Sequence, residues 1–160
     1  MASEKVKECS LLIAQNGWTI TFVESVSAGK MNYEFSTVEE SGKILLGGLV
    51  CYNATLKEVL LEIPPALIET FTAESAEVTK AMAEHFCRIV PADICVALTG
   101  LSTMGGSESA EKPVGTVFIH IIFPNVHIAK RFEFLGDAEL IINQAIDSVA
   151  SEIIREISFK

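Results

Sequence analysis

The sequence has 160 residues, of which 49% are hydrophobic, so one sizeable core can form and we predict a single domain over residues 1–160. The net charge of -9 argues against nucleic-acid binding, which needs a basic face for the phosphates. No apolar stretch reaches the roughly 18 residues of a membrane span, so we expect no membrane contact.

The cysteines and histidines indicate neither a disulfide framework nor a metal site. Four cysteines lie in apolar stretches without any CxxC pair, and the three histidines have no ligand spacing. The cysteines are Cys9, Cys51, Cys87 and Cys95. We therefore expect reduced, buried thiols, no metal and no cofactor, and the lack of a signal peptide predicts a cytoplasmic location.

The first part of the chain predicts two helices and two strands. Apolar residues at helical spacing predict a helix over residues 3–16. The β-branched and aromatic residues of Trp18–Val23 predict a strand, and the small-residue turn Glu24–Gly29 leads from it into a helix near residues 27–37. The continuously apolar run Ile44–Tyr52 contains two glycines and predicts a buried strand.

The middle of the chain predicts helices, one more strand and a long loop. Residues 54–61 are helical, and a second short helix follows the break at Pro64-Pro65. Ser75–Ile89 has an N-cap serine and an apolar face, which predicts the longest helix of this section. Ile94–Leu98 predicts a buried strand. The Gly- and Ser-rich residues 99–112 then predict a long loop of the kind that is usually functional.

The last part of the chain predicts a hairpin and a helix. Val114–Phe123 and Val126–Phe134 are strands around a turn at Pro124-Asn125, and a helix covers about residues 137–157. Helices separate the first three strands, whereas the last two strands are joined directly. We therefore predict a three-layer α/β/α sandwich with a mixed, partly parallel sheet of about five strands that ends in the hairpin.

In sheets of this kind, ligands bind at the carboxyl ends of the strands. Three segments are predicted to lie there: Glu24–Gly29, Tyr52–Lys57 and Thr99–Lys112. Ser25 precedes a helix N-terminus, where backbone N–H groups can stabilise an oxyanion or hold a phosphate. The same serine also fits an ordinary N-cap.

Lys57 and Tyr52 each have two interpretations as well. A lysine can act as the base for a serine only when it is neutral, which burial can arrange, but most lysines on a short helix are solvated. Tyr52 can hold a Ser/Lys pair through its phenol or simply pack at a strand end. The residues by themselves predict a small-molecule pocket and leave its chemistry open.

Four motifs in this order resemble the C-terminal domain of the competence-damage-inducible CinA proteins, a family known also as stand-alone nicotinamide mononucleotide deamidases. The motifs are Glu-Ser-x-Ser-x-Gly at residues 24–29, Gly-Gly-Leu-Val-x-Tyr-Asn at 47–53 followed by Lys57, Thr-Gly at 99–100, and Glu-Lys-Pro-Val-Gly-Thr-Val at 111–117. The resemblance extends from the first helix to the last.

The resemblance implies a serine amidohydrolase with a Ser/Lys pair. Ser25 would attack the carboxamide carbon of a nicotinamide ring, and Lys57 would take the serine proton and pass it to departing ammonia. Tyr52 matches the supporting tyrosine. The helix N-terminus after Ser25 is the predicted oxyanion site.

Further residues are predicted to contact a nucleotide-like small molecule. They are Glu24, Ser27, Gly29, Asn53, Thr99, Gly100, Gly105, Gly106 and Lys112. We also expect a homo-oligomer, most simply a dimer, which an apolar surface on the first or last helix would suit.

Several departures from the family pattern keep a second hypothesis open. The family's Cys-Thr-Gly-Gly is Val26–Gly29 here, and its Gly-Pro-rich loop is Ser102–Gly106. Two family arginines near the C-terminus are replaced by Ala138 and Ile142, which cannot pair with a phosphate. The alternative is a diverged, non-catalytic domain that binds a small molecule or nucleotide. A role in DNA uptake, which only the family name suggests, finds no motif in the sequence.

Overall fold

The computed structural model describes residues 1–159 of the chain. The helices and strands are, in chain order, α1 (Glu4–Gln15), β1 (Ile20–Glu24), α2 (Lys30–Ser36), α3 (Ser41–Ile44), β2 (Leu45–Val50), α4 (Ala54–Leu61), α5 (Pro65–Phe71), α6 (Ala76–Ile89), β3 (Ile94–Gly100), β4 (Thr116–Ile122), β5 (His127–Glu133) and α7 (Ala138–Ser158).

The strands form one mixed sheet in the order β2-β1-β3-β4-β5. β1 pairs in parallel with both β2 and β3, while β4 is antiparallel to β3 and to β5. The hairpin closes at the predicted turn, where the Phe123 N–H donates to the Val126 carbonyl at 2.9 Å. The predicted mixed sheet with a terminal hairpin is therefore confirmed.

Helices cover both faces of the sheet. Successive side chains of a strand point to opposite faces, so neighbouring residues of β1 pack against different helices. Phe22 of β1 belongs to a core cluster with residues of α1, α2 and α7, whereas its neighbour Val23 belongs to a second cluster with residues of α4 and α6. Each fully buried side chain of this size stabilises the fold by roughly 1.5–3 kcal/mol. The three predicted layers are thus present.

The prediction of a buried strand over Ile44–Tyr52 was wrong in its burial. Ile44 ends α3, and β2 lies at the edge of the sheet, where half-buried and exposed residues alternate. Leu46 is 50% exposed. An apolar run alone does not tell an edge strand from a central one.

The four cysteines are free thiols, of which Cys87 is half-buried and the others are buried. Within residues 1–159, no helix is both long and apolar enough to cross a bilayer.

Candidate functional site

The site lies where the three parallel strands end. β1 is the central strand of the three, and its ladder continues one step beyond the strand on each side. The Ser25 N–H donates to the Leu98 carbonyl of β3 at 3.1 Å, and the Cys51 N–H donates to the Glu24 carbonyl at 2.7 Å. Ser25 is thereby fixed between the segments that follow β2 and β3, at the edge where ligands bind in such sheets.

Lys57 reaches Ser25 from α4. The side chain of Lys57 is fully buried, and its Nζ lies 3.1 Å from Ser25 Oγ and 2.9 Å from the Cys51 carbonyl oxygen. Asn53 starts the helix, since its Oδ1 accepts the Thr55 N–H at 2.9 Å. The predicted hydrogen bond between Ser25 and Lys57 is therefore present.

Burial lowers the pKa of the Lys57 ammonium because desolvation disfavours the charged form. Electrostatic interactions with Glu74 and, to a smaller extent, with Cys51 raise this pKa. Desolvation is the largest of these effects, so the neutral amine is favoured relative to an exposed lysine. A neutral amine can donate to the Cys51 carbonyl and accept the hydroxyl proton of Ser25.

We name residues 24–29 the serine turn, and a single buried carboxylate, that of Glu24, holds this turn and the start of α2. The Glu24 side chain is fully buried and accepts five hydrogen bonds at 2.5–3.1 Å. The donors are the Ser27 hydroxyl, the N–H groups of Gly29, Met31 and Asn32, and the Asn32 side chain. The side chains of Glu24 and Ser27 therefore brace the turn, which corrects the prediction that they contact a ligand.

The oxyanion site cannot be the start of α2, as predicted from the sequence, because the Glu24 carboxylate already accepts N–H groups there. The amides of Val26 and Ser27 directly follow Ser25, and neither has a hydrogen-bond acceptor among the described residues. Two adjacent amides without an acceptor can bind a developing oxyanion. Ala28 completes the turn with a left-handed φ of 48°, a conformation that glycine adopts with less strain.

Ser25 and the loop after β3 line one cleft with a volume of about 320 Å³. We name residues 101–112 the cleft loop, since Thr99 and Gly100, which were predicted to lie in the loop, are the last two residues of β3. The lining residues are Ser25, Val26, Tyr52, Glu74, Gly100, Leu101, Ser102, Thr103, Met104, Gly105 and Gly106. The prediction that the serine and this loop share a pocket is confirmed, and three of the predicted ligand-contacting glycines (Gly100, Gly105 and Gly106) lie in its wall.

Tyr52 lies at the rim of the cleft rather than beside the Ser/Lys pair. The residue is 62% exposed. Within residues 1–159 its phenol makes no hydrogen bond to Ser25 or Lys57. The predicted supporting hydrogen bond is therefore absent, because the chain turns outward between the strand end and α4. Tyr52 is placed to contact a ligand in the cleft.

Two other predicted ligand contacts have structural partners instead. Asn53 caps α4, and Thr99 is fully buried with its hydroxyl 2.8 Å from that of Thr79 on α6. Neither residue lines the cleft. Gly29 has a φ of 96° and also lies outside the lining, so its contribution is the conformation of the serine turn.

Lys112 ties the cleft loop to the connection between α5 and α6. Its Nζ donates to the Thr72 hydroxyl at 2.6 Å, the Ser107 hydroxyl at 2.7 Å and the Glu74 carbonyl at 2.9 Å. These three acceptors use all the protons of the ammonium. Lys112 does not line the cleft, so the prediction that it contacts the ligand gives way to a bracing role.

Glu74 is the site residue that sequence reasoning missed. It directly precedes the N-cap Ser75 of α6, which made it look like part of an ordinary connection. In the structure it lines the cleft, and its carboxylate accepts a hydrogen bond from the Ser107 hydroxyl. No periodicity or motif marked this position, because only the folding of two connections brings it beside Ser25.

The family model of the CinA C-terminal domain matches residues 2–157. The chain belongs to the CinA C-terminal domain family. A CinA-like protein of Leptospira biflexa is 40% identical over 130 residues, which are 80% of this chain and 31% of that protein. A CinA-like protein of Geotalea uraniireducens is 36% identical over 128 residues, which are 80% of this chain and 30% of that protein. The chain thus spans about a third of the length of these relatives.

Solved structures of the CinA superfamily share the fold. A CinA superfamily protein of Klebsiella pneumoniae has a TM-score of 0.91 at 21% identity and is matched over 98% of both chains. A competence or damage-inducible protein of Enterobacter asburiae has a TM-score of 0.89 at 24% identity over 96% of both chains. At these identities the comparison establishes the fold alone.

The positions at which the CinA family pattern has arginines lie at the start of α7. Ala138 is the first residue of the helix, and Ile142 is partly buried against the core. Neither lines the cleft. Lys30 of α2 lies 3.7 Å from the carboxylate of Glu139, the residue that follows Ala138 in α7.

Proposed function

We propose that this chain is a serine amidohydrolase that hydrolyses a carboxamide to the acid and ammonia. Ser25 is the nucleophile and Lys57 is its general base. The observation that carries the proposal is the 3.1 Å hydrogen bond between Ser25 Oγ and a fully buried lysine Nζ. A serine beside a desolvated amine is the arrangement that activates a hydroxyl as a nucleophile.

In the acylation step, neutral Lys57 takes the hydroxyl proton while Ser25 Oγ attacks the carboxamide carbon. The new C–O bond moves an electron pair onto the carbonyl oxygen, which the amides of Val26 and Ser27 can stabilise. The C–N bond then breaks as Lys57 returns the proton to the leaving nitrogen. The products of this step are ammonia and an ester on Ser25.

In the deacylation step, Lys57 is neutral again and takes a proton from a water molecule that attacks the ester. The tetrahedral intermediate collapses with release of Ser25 Oγ, which recovers its proton from Lys57. Both halves use the same hydrogen bond and the same oxyanion site, so no further titratable group is required.

The substrate class comes from the family resemblance and from the size of the cleft. A nicotinamide carboxamide, as in nicotinamide mononucleotide, is the substrate that the resemblance implies. The cleft volume of about 320 Å³ suits a small heterocyclic amide, since ligand pockets occupy roughly 300–1,000 Å³.

A non-catalytic binding domain is the second candidate, and the loss of the two family arginines favours it. The first two turns of α7 have Ala138 and Ile142 where the family pattern has arginines. A phosphate bound there would lack bidentate partners. According to this alternative, the protein keeps the Ser/Lys pair but hydrolyses no carboxamide.

Ammonia release from nicotinamide carboxamides by the purified protein distinguishes the two candidates. We expect release that is lost in the Ser25→Ala variant while the thermal unfolding midpoint stays close to that of the parent. Release that persists in Ser25→Ala would exclude Ser25 as the nucleophile. No release from any carboxamide by a folded parent protein would favour the non-catalytic domain.

A further inference from the structure

The wall of the cleft carries a net negative charge. Glu74 is the only charged residue among those that line it, and it lies close enough to Lys57 to influence the pKa of that amine. Within the described residues, no lysine, arginine or histidine side chain faces a ligand in this cleft. A bound anion would therefore meet the Glu74 carboxylate in the wall, while the one cation that interacts with Glu74 besides Lys57 among the described residues, Lys112, lies outside the lining.

The two lysines nearest the site are already committed to protein partners. The Nζ of Lys57 is buried against Ser25 and the Cys51 carbonyl, and that of Lys112 donates to three acceptors beneath the cleft loop. Burial lowers the pKa of both ammonium groups. Neither can turn toward a phosphate without breaking the hydrogen bonds that hold the site.

One backbone anion site in the cleft loop is filled by the protein itself. The N–H groups of Gly105 and Gly106 both donate to the Glu108 carboxylate, each at 2.8 Å. Consecutive amides at a left-handed glycine form a cradle for anions, and the φ of Gly105 is 98°. These hydrogen bonds lower the pKa of Glu108, so the carboxylate is ionised near neutral pH. A phosphate would have to displace it.

From these charges we infer that the cleft selects a carboxamide without a phosphate, either neutral or cationic, over its phosphorylated counterpart. Glu74 attracts a cation such as a pyridinium ring, and Glu108 occupies two loop amides that would otherwise attract a phosphate. The inference rests on the proposed amidohydrolase function for its substrate class, but the preference itself is a property of binding.

Nicotinamide riboside and nicotinamide mononucleotide test the inference, because the two compounds differ only by the phosphate. Calorimetric titration of the Ser25→Ala variant measures binding of each compound without turnover. We expect the riboside to bind at least about tenfold more tightly than the mononucleotide at low salt. The ratio should shrink as salt rises, because screening weakens the repulsion. Equal or tighter binding of the mononucleotide, or no binding of the riboside, would overturn the inference.

Variants without the charge of Glu74 or Glu108 test whether these two carboxylates cause the preference for the riboside. In the Ser25→Ala background, Glu74→Gln and Glu108→Gln should each tighten binding of the mononucleotide by about threefold and leave the riboside unchanged or weaker. Glu111→Gln removes the same charge from the cleft loop without touching the lining or the glycine amides, and it should leave the ratio as in the parent. A ratio that changes as much in Glu111→Gln would show a general charge effect and would overturn the assignment.

Ammonia release by the parent protein separates this inference from the proposed function. Tighter binding of the riboside without ammonia release from either compound would refute the amidohydrolase and leave the binding preference standing. Ammonia release from the mononucleotide, together with tighter binding of the mononucleotide than of the riboside to Ser25→Ala, would support the amidohydrolase and refute the preference.

Discussion

The serine turn and the cleft loop contribute to one cleft but are held in different ways. The serine turn is largely buried, and the five hydrogen bonds accepted by the Glu24 carboxylate join it to the start of α2. The cleft loop is largely exposed and is held by one lysine and by a surface carboxylate. On the proposed function, the nucleophile is thus held rigidly, while the exposed wall of the cleft can change with little effect on the fold.

Replacement of Lys57 should have the largest effect on activity. Lys57→Arg keeps a positive charge but cannot give up a proton near neutral pH, so turnover should fall by about 10³-fold. Lys57→Met is the matched control for packing, because it fills a similar volume without any base, and it should lose the same activity. Ammonia release and thermal unfolding of both variants check the prediction. Activity in Lys57→Arg comparable to that of the parent would show that Lys57 is not the base.

Replacement of Glu24 should have the largest effect on stability. Glu24→Gln keeps the shape of the side chain but places amide hydrogens against N–H donors, so several buried donors lose their acceptor. We expect the free energy of unfolding to fall by about 3 kcal/mol in denaturant titrations.

The same change of a glutamate to a glutamine at Glu108 in the cleft loop is the control for Glu24→Gln. Glu108→Gln should change the free energy of unfolding by less than about 0.5 kcal/mol, since the carboxylate is at the surface. Similar losses in the two variants would contradict the contrast between a rigid turn and an adaptable loop.

Replacement of Lys112 should have a smaller effect on activity than replacement of Lys57, and it should change ligand binding rather than the chemical step. Lys112→Met removes three hydrogen bonds that hold the cleft loop against the α5–α6 connection. KM should rise by about tenfold with kcat little changed, because the Ser/Lys pair itself is untouched. Lys80→Met on α6 removes a lysine that pairs with Glu84 at the surface and should leave both constants unchanged. A fall in kcat in Lys112→Met with an unchanged KM would refute the bracing role.

The sequence predicted the features that depend on local patterns. Apolar runs, caps and turn residues located the sheet, the hairpin and most helices, because each of these signals acts over a few neighbouring residues. The family spacing of Ser25 and Lys57 predicted their hydrogen bond, and small residues after two strand ends predicted the shared cleft.

The features that were missed depend on tertiary contacts. The exposure of β2 follows from its place at the sheet edge, and no property of its own residues encodes that place. Glu24 and Lys112 were predicted to contact a ligand, but both bind protein groups. The residue type alone does not show whether a charged side chain binds protein groups or a ligand. Glu74 enters the cleft only because two connections fold beside each other.

The pH dependence of ammonia release tests most directly whether neutral Lys57 activates Ser25. Only the neutral amine can take the serine proton, so kcat/KM should rise with pH and level off above the pKa of Lys57. Because burial lowers this pKa, the midpoint should lie below the ordinary lysine value of 10.5. The Lys57→Met variant should show no such rise. A rate in the parent that stays constant between about pH 6 and pH 10, or the same rise in Lys57→Met, would contradict the account.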